Sequence, residues 1–237
     1  MSVRSLRRGS IAASRGAAAP STVTVMRTTG IAWASTPDSA ANSVTGDIDL
    51  RMKVKMNDWT QTGDALLAEK WGASGNRTFN WYMRSLGDVH WIVSTTGSNS
   101  LSGLSSATTG FTDGTIHSLR ITRVAATGVR THYTSDDWDP ATDTGTWTQL
   151  GTTTNPGTGN LFNSTAPVTV GDINGGGAPL LGDIYYFEMR NGIGGSVVAK
   201  FDPSGVTPSG VRTPSSFVSS TGETWTMNGT AWDWATV

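Results

Sequence analysis

The stretch GDIDLRMKVKM at 46–56 limits the fold more than any other part of the chain. Ile48, Leu50, Met52, Val54 and Met56 alternate with Asp49, Arg51, Lys53 and Lys55. Successive side chains of a β-strand point to opposite faces, so one face of this segment is apolar and the other charged. A slip of one residue would bury all four charges, which fixes the register. The pattern predicts a strand in a sheet with one face in a core and the other in water.

Similar but shorter patterns recur. TVTVMR at 22–27, ALLAEKW at 65–71, GTIHSLRITRV at 114–124, GVRTHYTS at 128–135, TWTQLGTT at 146–153, PVTVGD at 167–172, LLGDIYYFEMRN at 180–191, SVVAKFD at 196–202 and ETWTMNG at 223–229 all read as strands. TFNWYMRSLGDVHWIVSTTG at 78–97 reads as a hairpin turning at Leu86-Gly87-Asp88. In 114–124 the inward candidates are Ile116, Leu119 and Ile121. Gly, Asp, Asn and Pro punctuate these runs, and no segment keeps a helical period over three turns. The expectation is an all-β fold, a two-sheet antiparallel jelly-roll sandwich, with the 10 Trp filling the space between the layers.

Residues 1–21 stand apart as an extended basic arm. Arg4, Arg7, Arg8 and Arg15 precede the first acid, Asp38, and the apolar stretch after them is too short and interrupted for a signal peptide. The expected organisation is an arm at 1–21 and one domain at 22–237, with 202–237 as its C-terminal strand and tail. A net charge of −1 gives no general argument for nucleic acid, and Arg residues without interleaved aromatics leave the arm as a strap onto an acidic protein neighbour. No run of 18 apolar residues is present to cross a membrane, and the absence of Cys removes disulfides, thiolate metal sites and a Cys nucleophile.

Four aspartates, Asp136, Asp137, Asp139 and Asp143, lie with Trp138 between two strand-like tracts. Counting from Asp137, an EF-hand would need acids or a glycine where Ala141, Thr142 and Thr148 stand, so that calcium loop is absent. The segment reads as a lengthened hairpin tip whose carboxylates cap turns. It is also the candidate surface for a glycan or a protein partner, with Trp138 either exposed for stacking or tucked over the sandwich edge. In GDINGGGAP at 171–179, Asp172 and Asn174 are the candidate oxygen ligands for calcium, against the reading of a wide turn. Glu69, Glu188 and Glu223 are isolated, His90, His117 and His132 show no zinc spacing, and no Gly-x-Ser-x-Gly elbow occurs. No catalytic residue is assigned, and the chain is expected not to be an enzyme.

The ordered set of fragments resembles the laminin-G-like, concanavalin A-type jelly roll. GDIDLRMKVKM looks like its long early strand, GTIHSLRITRV like its Gly-x-x-His strand through Gly114 and His117, and PVTVGDINGGGAPLLGDIYYFEMRN like its closing signature through Gly171, Gly182, Ile184 and Arg190. Hydrolases sharing that fold carry an E-x-D-x-x-E run, which this chain lacks. YTSDD…TWTQLGTT and FDPS…SSTGETWTMNG also resemble phrases from minor tail and other virion proteins of phages infecting actinobacteria. That resemblance implies a non-enzymatic structural protein on a phage particle surface, of minor tail or capsid-decoration type. Other virion proteins, or further copies of the chain, would be the partners of its arm. The alternative is an adhesion module for a host-surface polysaccharide, assisted by calcium. Fold alone does not decide between them.

Overall fold

The computed structural model describes residues 22–237. The arm at 1–21, with Arg4, Arg7, Arg8 and Arg15, lies outside the described residues. Sixteen strands follow: β1 (Thr24–Thr28), β2 (Ala32–Thr36), β3 (Ile48–Met56), β4 (Ala65–Trp71), β5 (Arg77–Met83), β6 (Asp88–Val93), β7 (Leu101–Thr108), β8 (Ile116–Arg123), β9 (Arg130–Ser135), β10 (Thr148–Gln149), β11 (Val168–Val170), β12 (Gly182–Asn191), β13 (Ser196–Phe201), β14 (Ser216–Val218), β15 (Thr224–Gly229) and β16 (Trp232–Thr236). The one helical element among the described residues is a single 3-10 turn at Pro203–Gly205. No described helix is long and apolar enough to cross a membrane.

The strands form two antiparallel sheets. The first runs β10-β9-β8-β3-β12-β1-β16, with β13 also paired to β12; the second runs β14-β15-β2-β11-β4-β5-β6-β7. β1 and β13 pair successive halves of β12, through Met26↔Ile184 and Phe187↔Phe201. The chain end is woven into both sheets, since β16 pairs with β1 and β15 with β2.

The core lies between the layers, as the alternation predicts. Ile48, Leu50, Met52, Val54 and Met56 are all fully buried. They meet Trp81, Trp91, Phe79, Val168 and Val170 from the opposite sheet. Two expectations need correction. Ile116 is not inward but 43% exposed, because the inward phase of β8 starts at Leu119. The outer face of β3 is not simply wet, since Asp49 and Arg51 are also buried. Burying charges costs several kcal/mol unless they are paired and hydrogen-bonded, so something must cover and satisfy them. That cover is the acidic loop.

Candidate binding cleft

β9 and β10 form a hairpin whose long loop, 136–147, folds back over the outer face of the first sheet. The carboxylates shape the fold-back. Asp137 Oδ1 accepts from Ser135 Oγ at 2.9 Å and from the Thr146 N–H at 2.7 Å. Asp139 accepts from the Ala141 N–H at 3.0 Å and from the Thr142 hydroxyl at 2.9 Å. These donors hold both carboxyls below the usual range. Gly145 sits at φ 140, and a Cβ there would lie 2.5 Å from Trp138 Cα, so the loop closes only with glycine at this position. Asp136 points outward and pairs with His117 Nδ1 at 2.6 Å.

Asp143 binds the loop to the sheet. It accepts from Arg51 Nη1 at 2.5 Å, from Arg190 Nη2 at 2.9 Å and from Trp138 Nε1 at 3.2 Å. Partial burial pushes its pKa up, but the indole hydrogen bond and the two guanidiniums outweigh that and leave it lowered. The network continues below. Asp49 accepts from Arg51 at 3.1 Å, from Arg120 at 2.8 Å and from the Gly194 N–H at 3.0 Å. Glu188 accepts from Arg190 Nε at 2.5 Å and from Tyr186 Oη at 3.0 Å. Asp49, Asp143 and Glu188 thus balance Arg51, Arg120 and Arg190, which is what buried charges require.

Trp138 is tucked under the loop at 1% exposure, which is the second of the two placements open to it from sequence. Its ring meets Tyr186 edge-on at 5.5 Å and Trp147 at 5.3 Å, with the Arg51 guanidinium 5.9 Å from the centroid. Lys53 Nζ donates to the Trp138 carbonyl at 3.1 Å. In this arrangement the indole offers no face to a ligand. It props the loop at a fixed height above the strands.

The propped loop creates a cleft of about 190 Å³. Asp139, Pro140 and Ala141 of the loop line it together with Asp202, Ser204, Tyr185, Tyr186, Lys53 and Val23. Two adjacent tyrosines reach one cleft because β12 is irregular there. Ile184 pairs with Val54 and Tyr186 with Lys53, so Tyr185 is an extra residue in the ladder. A β-bulge of this kind re-aims side chains. Sequence reading overlooked the two tyrosines, although a signal is present: Ile184-Tyr185-Tyr186-Phe187 is a continuous run in which the alternation of a strand breaks down.

Aromatic surface with polar groups at the rim suits a sugar ring, whose C–H face packs on aromatics while its hydroxyls find hydrogen-bond partners. The space is smaller than the ~300–1,000 Å³ of a typical small-molecule pocket and matches one ring rather than a chain. Glycoside hydrolysis needs one carboxylic acid with a raised pKa. Asp139 is lowered by its donors. Of the glutamates, Glu188 is consumed in the ion network and Glu223 is held by Ser219 and Thr221, while Glu69, whose pKa is raised to about 7, is fully buried and does not line this cleft.

The structure joins Asp172 to Glu69 rather than to the Asn174 side chain. Asp172 is fully buried, and its Oδ1 accepts N–H groups from Ile173, Gly177 and Ala178 at 2.8, 3.0 and 2.7 Å. Asn174 is exposed and contributes its backbone N–H, which donates to Glu69 Oε1 at 2.9 Å. Glu69 Oε2, Asp172 Oδ2 and, on the strand beside Glu69, Asn80 Oδ1 are buried without a partner among the described residues. Burial raises Glu69 to about 7, with Asp172 adding to the shift, and burial also raises Asp172. Calcium takes about 6–8 oxygen ligands, and Glu69 Oε2 and Asp172 Oδ2 are two partnerless oxygens of that kind. No group of three or more His, Asp or Glu side chains is placed to hold a metal among the described residues. The histidines stay apart: His90 meets Ser102, His117 meets Asp136, and His132 is buried.

The chain matches no family model and no curated protein sequence. Among solved structures it is similar to a protein of Bacteroides ovatus ATCC 8483 proposed to bind carbohydrate, with a TM-score of 0.64 at 10% identity over 91% of this chain and 60% of that one. The chain therefore spans about three-fifths of that relative. The heptameric SAP-like pentraxin of Limulus polyphemus follows at a TM-score of 0.49, 11% identity and 72% and 76% coverage. Domains LG4-5 of the mouse laminin α1 chain reach 0.47 at 13% identity, covering 71% of this chain and 40% of that one. At such identities the likeness is one of fold alone, and the fold is an all-β, two-sheet antiparallel jelly-roll sandwich.

Proposed function

We propose that the protein is a non-catalytic carbohydrate-binding jelly roll that holds one sugar residue in the cleft between Pro140 and Tyr185. The observation that carries this reading is Tyr185, turned by the bulge in β12 into a cleft floored by the buried Tyr186, beneath a loop that the ion network clamps in place. Lys53, Asp139 and Asp202 stand at its rim as partners for hydroxyls. The carbohydrate-binding assignment of the Bacteroides ovatus relative supports the same reading. Calcium, if held by Glu69 and Asp172, would neutralise two buried carboxylates and stiffen the loop at 172–178 rather than touch the sugar in this cleft.

The test is a glycan array followed by titration. Tyr185 is half-buried, so Tyr185→Ala is expected to leave the fold intact and weaken binding about tenfold or more, a change of ~1.4 kcal/mol. Unchanged affinity in that variant, or an array without a hit, would remove the proposal.

Display on the surface of a tailed-phage particle is a second proposal, compatible with the first. It rests on the sequence phrases around Tyr133–Asp137, Thr146–Thr153 and Phe201–Gly229. Deleting residues 1–21 is expected to leave a folded domain that is lost from particles, and normal incorporation of the deleted form would contradict an anchoring role for the arm.

A further inference from the structure

Lys70 of β4 is a charged side chain on the core side of its sheet. It faces Phe79 in the ladder, Ala68 two residues earlier belongs to the core, and its own side chain is 1% exposed. A charge in such a place is costly unless it is paired and hydrogen-bonded. Its partners come from the loop between β2 and β3. Lys70 Nζ donates to Asp38 Oδ1 at 2.5 Å and to Asn42 Oδ1 at 2.9 Å. Asn42 is fully buried, whereas the Asp38 side chain stays 28% exposed.

An ion pair with Asp38 alone would satisfy the charge, so the second partner is what sets this place apart. The Asn42 amide is fixed in one orientation. Its Nδ2 donates to the Pro37 carbonyl at 2.9 Å, and its Oδ1 accepts the Ser39 N–H at 3.1 Å. The side-chain carbonyl therefore faces the amine and is polarised by two donors, the Ser39 N–H and Lys70. Burial favours the neutral forms of an acid and a base, and Asp38 is close enough to take a proton from Lys70. That transfer leaves an unprotonated amine held against a carboxamide. A nucleophile, an electrophile and a proton carrier then share one dry site, with no diffusion needed to bring them together.

We propose that Lys70 and Asn42 join in an intramolecular isopeptide bond, with Asp38 as the proton carrier. The Nζ lone pair of Lys70 attacks Asn42 Cγ, and the oxyanion that develops stays on the Ser39 N–H. Asp38 carries the two protons that Nζ sheds to Asn42 Nδ2. The Cγ–Nδ2 bond breaks, ammonium leaves, and a Cγ–Nζ amide remains; no oxidant or cofactor takes part. The exit is short, because Pro37, Asp38 and Ser39 line an open cleft of about 370 Å³. The bond ties β4 to a loop 28 residues away in sequence. It is separate from the tyrosine cleft and does not depend on it.

The experiment is the mass of the full chain, measured intact after denaturation. Wild type is expected to be lighter than its sequence by one ammonia, about 17 Da. Tryptic digestion is expected to yield a branched peptide that joins Asn42 to Lys70. Asp38→Asn, which keeps an acceptor for the Lys70 amine, and Lys70→Met are each expected to show the full mass of their sequence. Wild type at its full sequence mass would overturn the proposal and leave the three groups as a buried ion pair with an added hydrogen bond. A loss of one water with the link at Asp38 would overturn it as well. So would an ammonia loss that persists in Lys70→Met, the mark of a succinimide at Asn42.

Discussion

Replacing Trp138 with alanine is expected to cost about 3–5 kcal/mol of folding stability, the range for truncating a large buried aromatic. The indole is 1% exposed, packs on Tyr186 and Trp147, and donates to Asp143. Its loss opens a cavity beneath the acidic loop and removes one of the donors that hold the Asp143 carboxylate against Arg51 and Arg190. Denaturant titration measures the loss, and Asp136→Ala is the control. Asp136 is exposed and pairs only with His117, so its removal is expected to change stability by no more than about 0.5 kcal/mol. A Trp138→Ala loss below about 1 kcal/mol would mean that the loop is not seated on the sheet. Sugar binding is expected to fall with stability, because Pro140 and Ala141 depend on the same prop for their position.

Glu69→Gln is expected to change how stability depends on pH. The carboxyl is buried, and its pKa is raised from 4.5 to about 7 in the folded state. A folded pKa above the unfolded one means that the protonated group stabilises the fold. That contribution is full below about 4.5 and is lost as pH rises through about 7. At one unit per ~1.36 kcal/mol, the loss amounts to roughly 3 kcal/mol between those limits. Asp172 is shifted in the same direction and adds to the slope. Glutamine keeps the shape and an acceptor for the Asn174 N–H without the charge. The variant should match wild type near pH 4.5 and exceed it above pH 7. Stability curves that stay parallel across this range would contradict the assignment. Calcium gives a second readout: if Glu69 and Asp172 hold the ion, adding it at pH 8 restores much of the wild-type loss and does nothing for Glu69→Gln.

The apolar half of this architecture was legible in the chain. The parity of 46–56 names five core residues correctly, and the hairpin at 78–97 appears as β5 and β6 in the expected place. β2 and β7 were not legible, because AWAST and LSGLSSAT are built mostly of small residues whose strand preference is weak and whose burial comes from neighbours. The charged half misled in an instructive way. Arg51 reads as solvent-facing because its cover, Asp143, is 92 residues away in sequence. Asp172 and Asn174 read as partners because only Ile173 separates them, whereas Glu69 meets that loop from 105 residues away. Arg123 and Arg130 look like ordinary surface residues of a hairpin until the alternation of β8 and β9 places them inside. In each case a local pattern sets the face a side chain takes, and a distant segment sets whether that face is dry.

The central claim is that the clamped loop and the bulge in β12 build the ligand site, and the direct measurement is a structure of the protein soaked with the sugar that scores highest on an array. A ring seated against Tyr185, with hydroxyls reaching Lys53, Asp139 or Asp202, is the predicted result. A sugar bound on the outer face of the second sheet, with the tyrosine cleft unchanged, would contradict it.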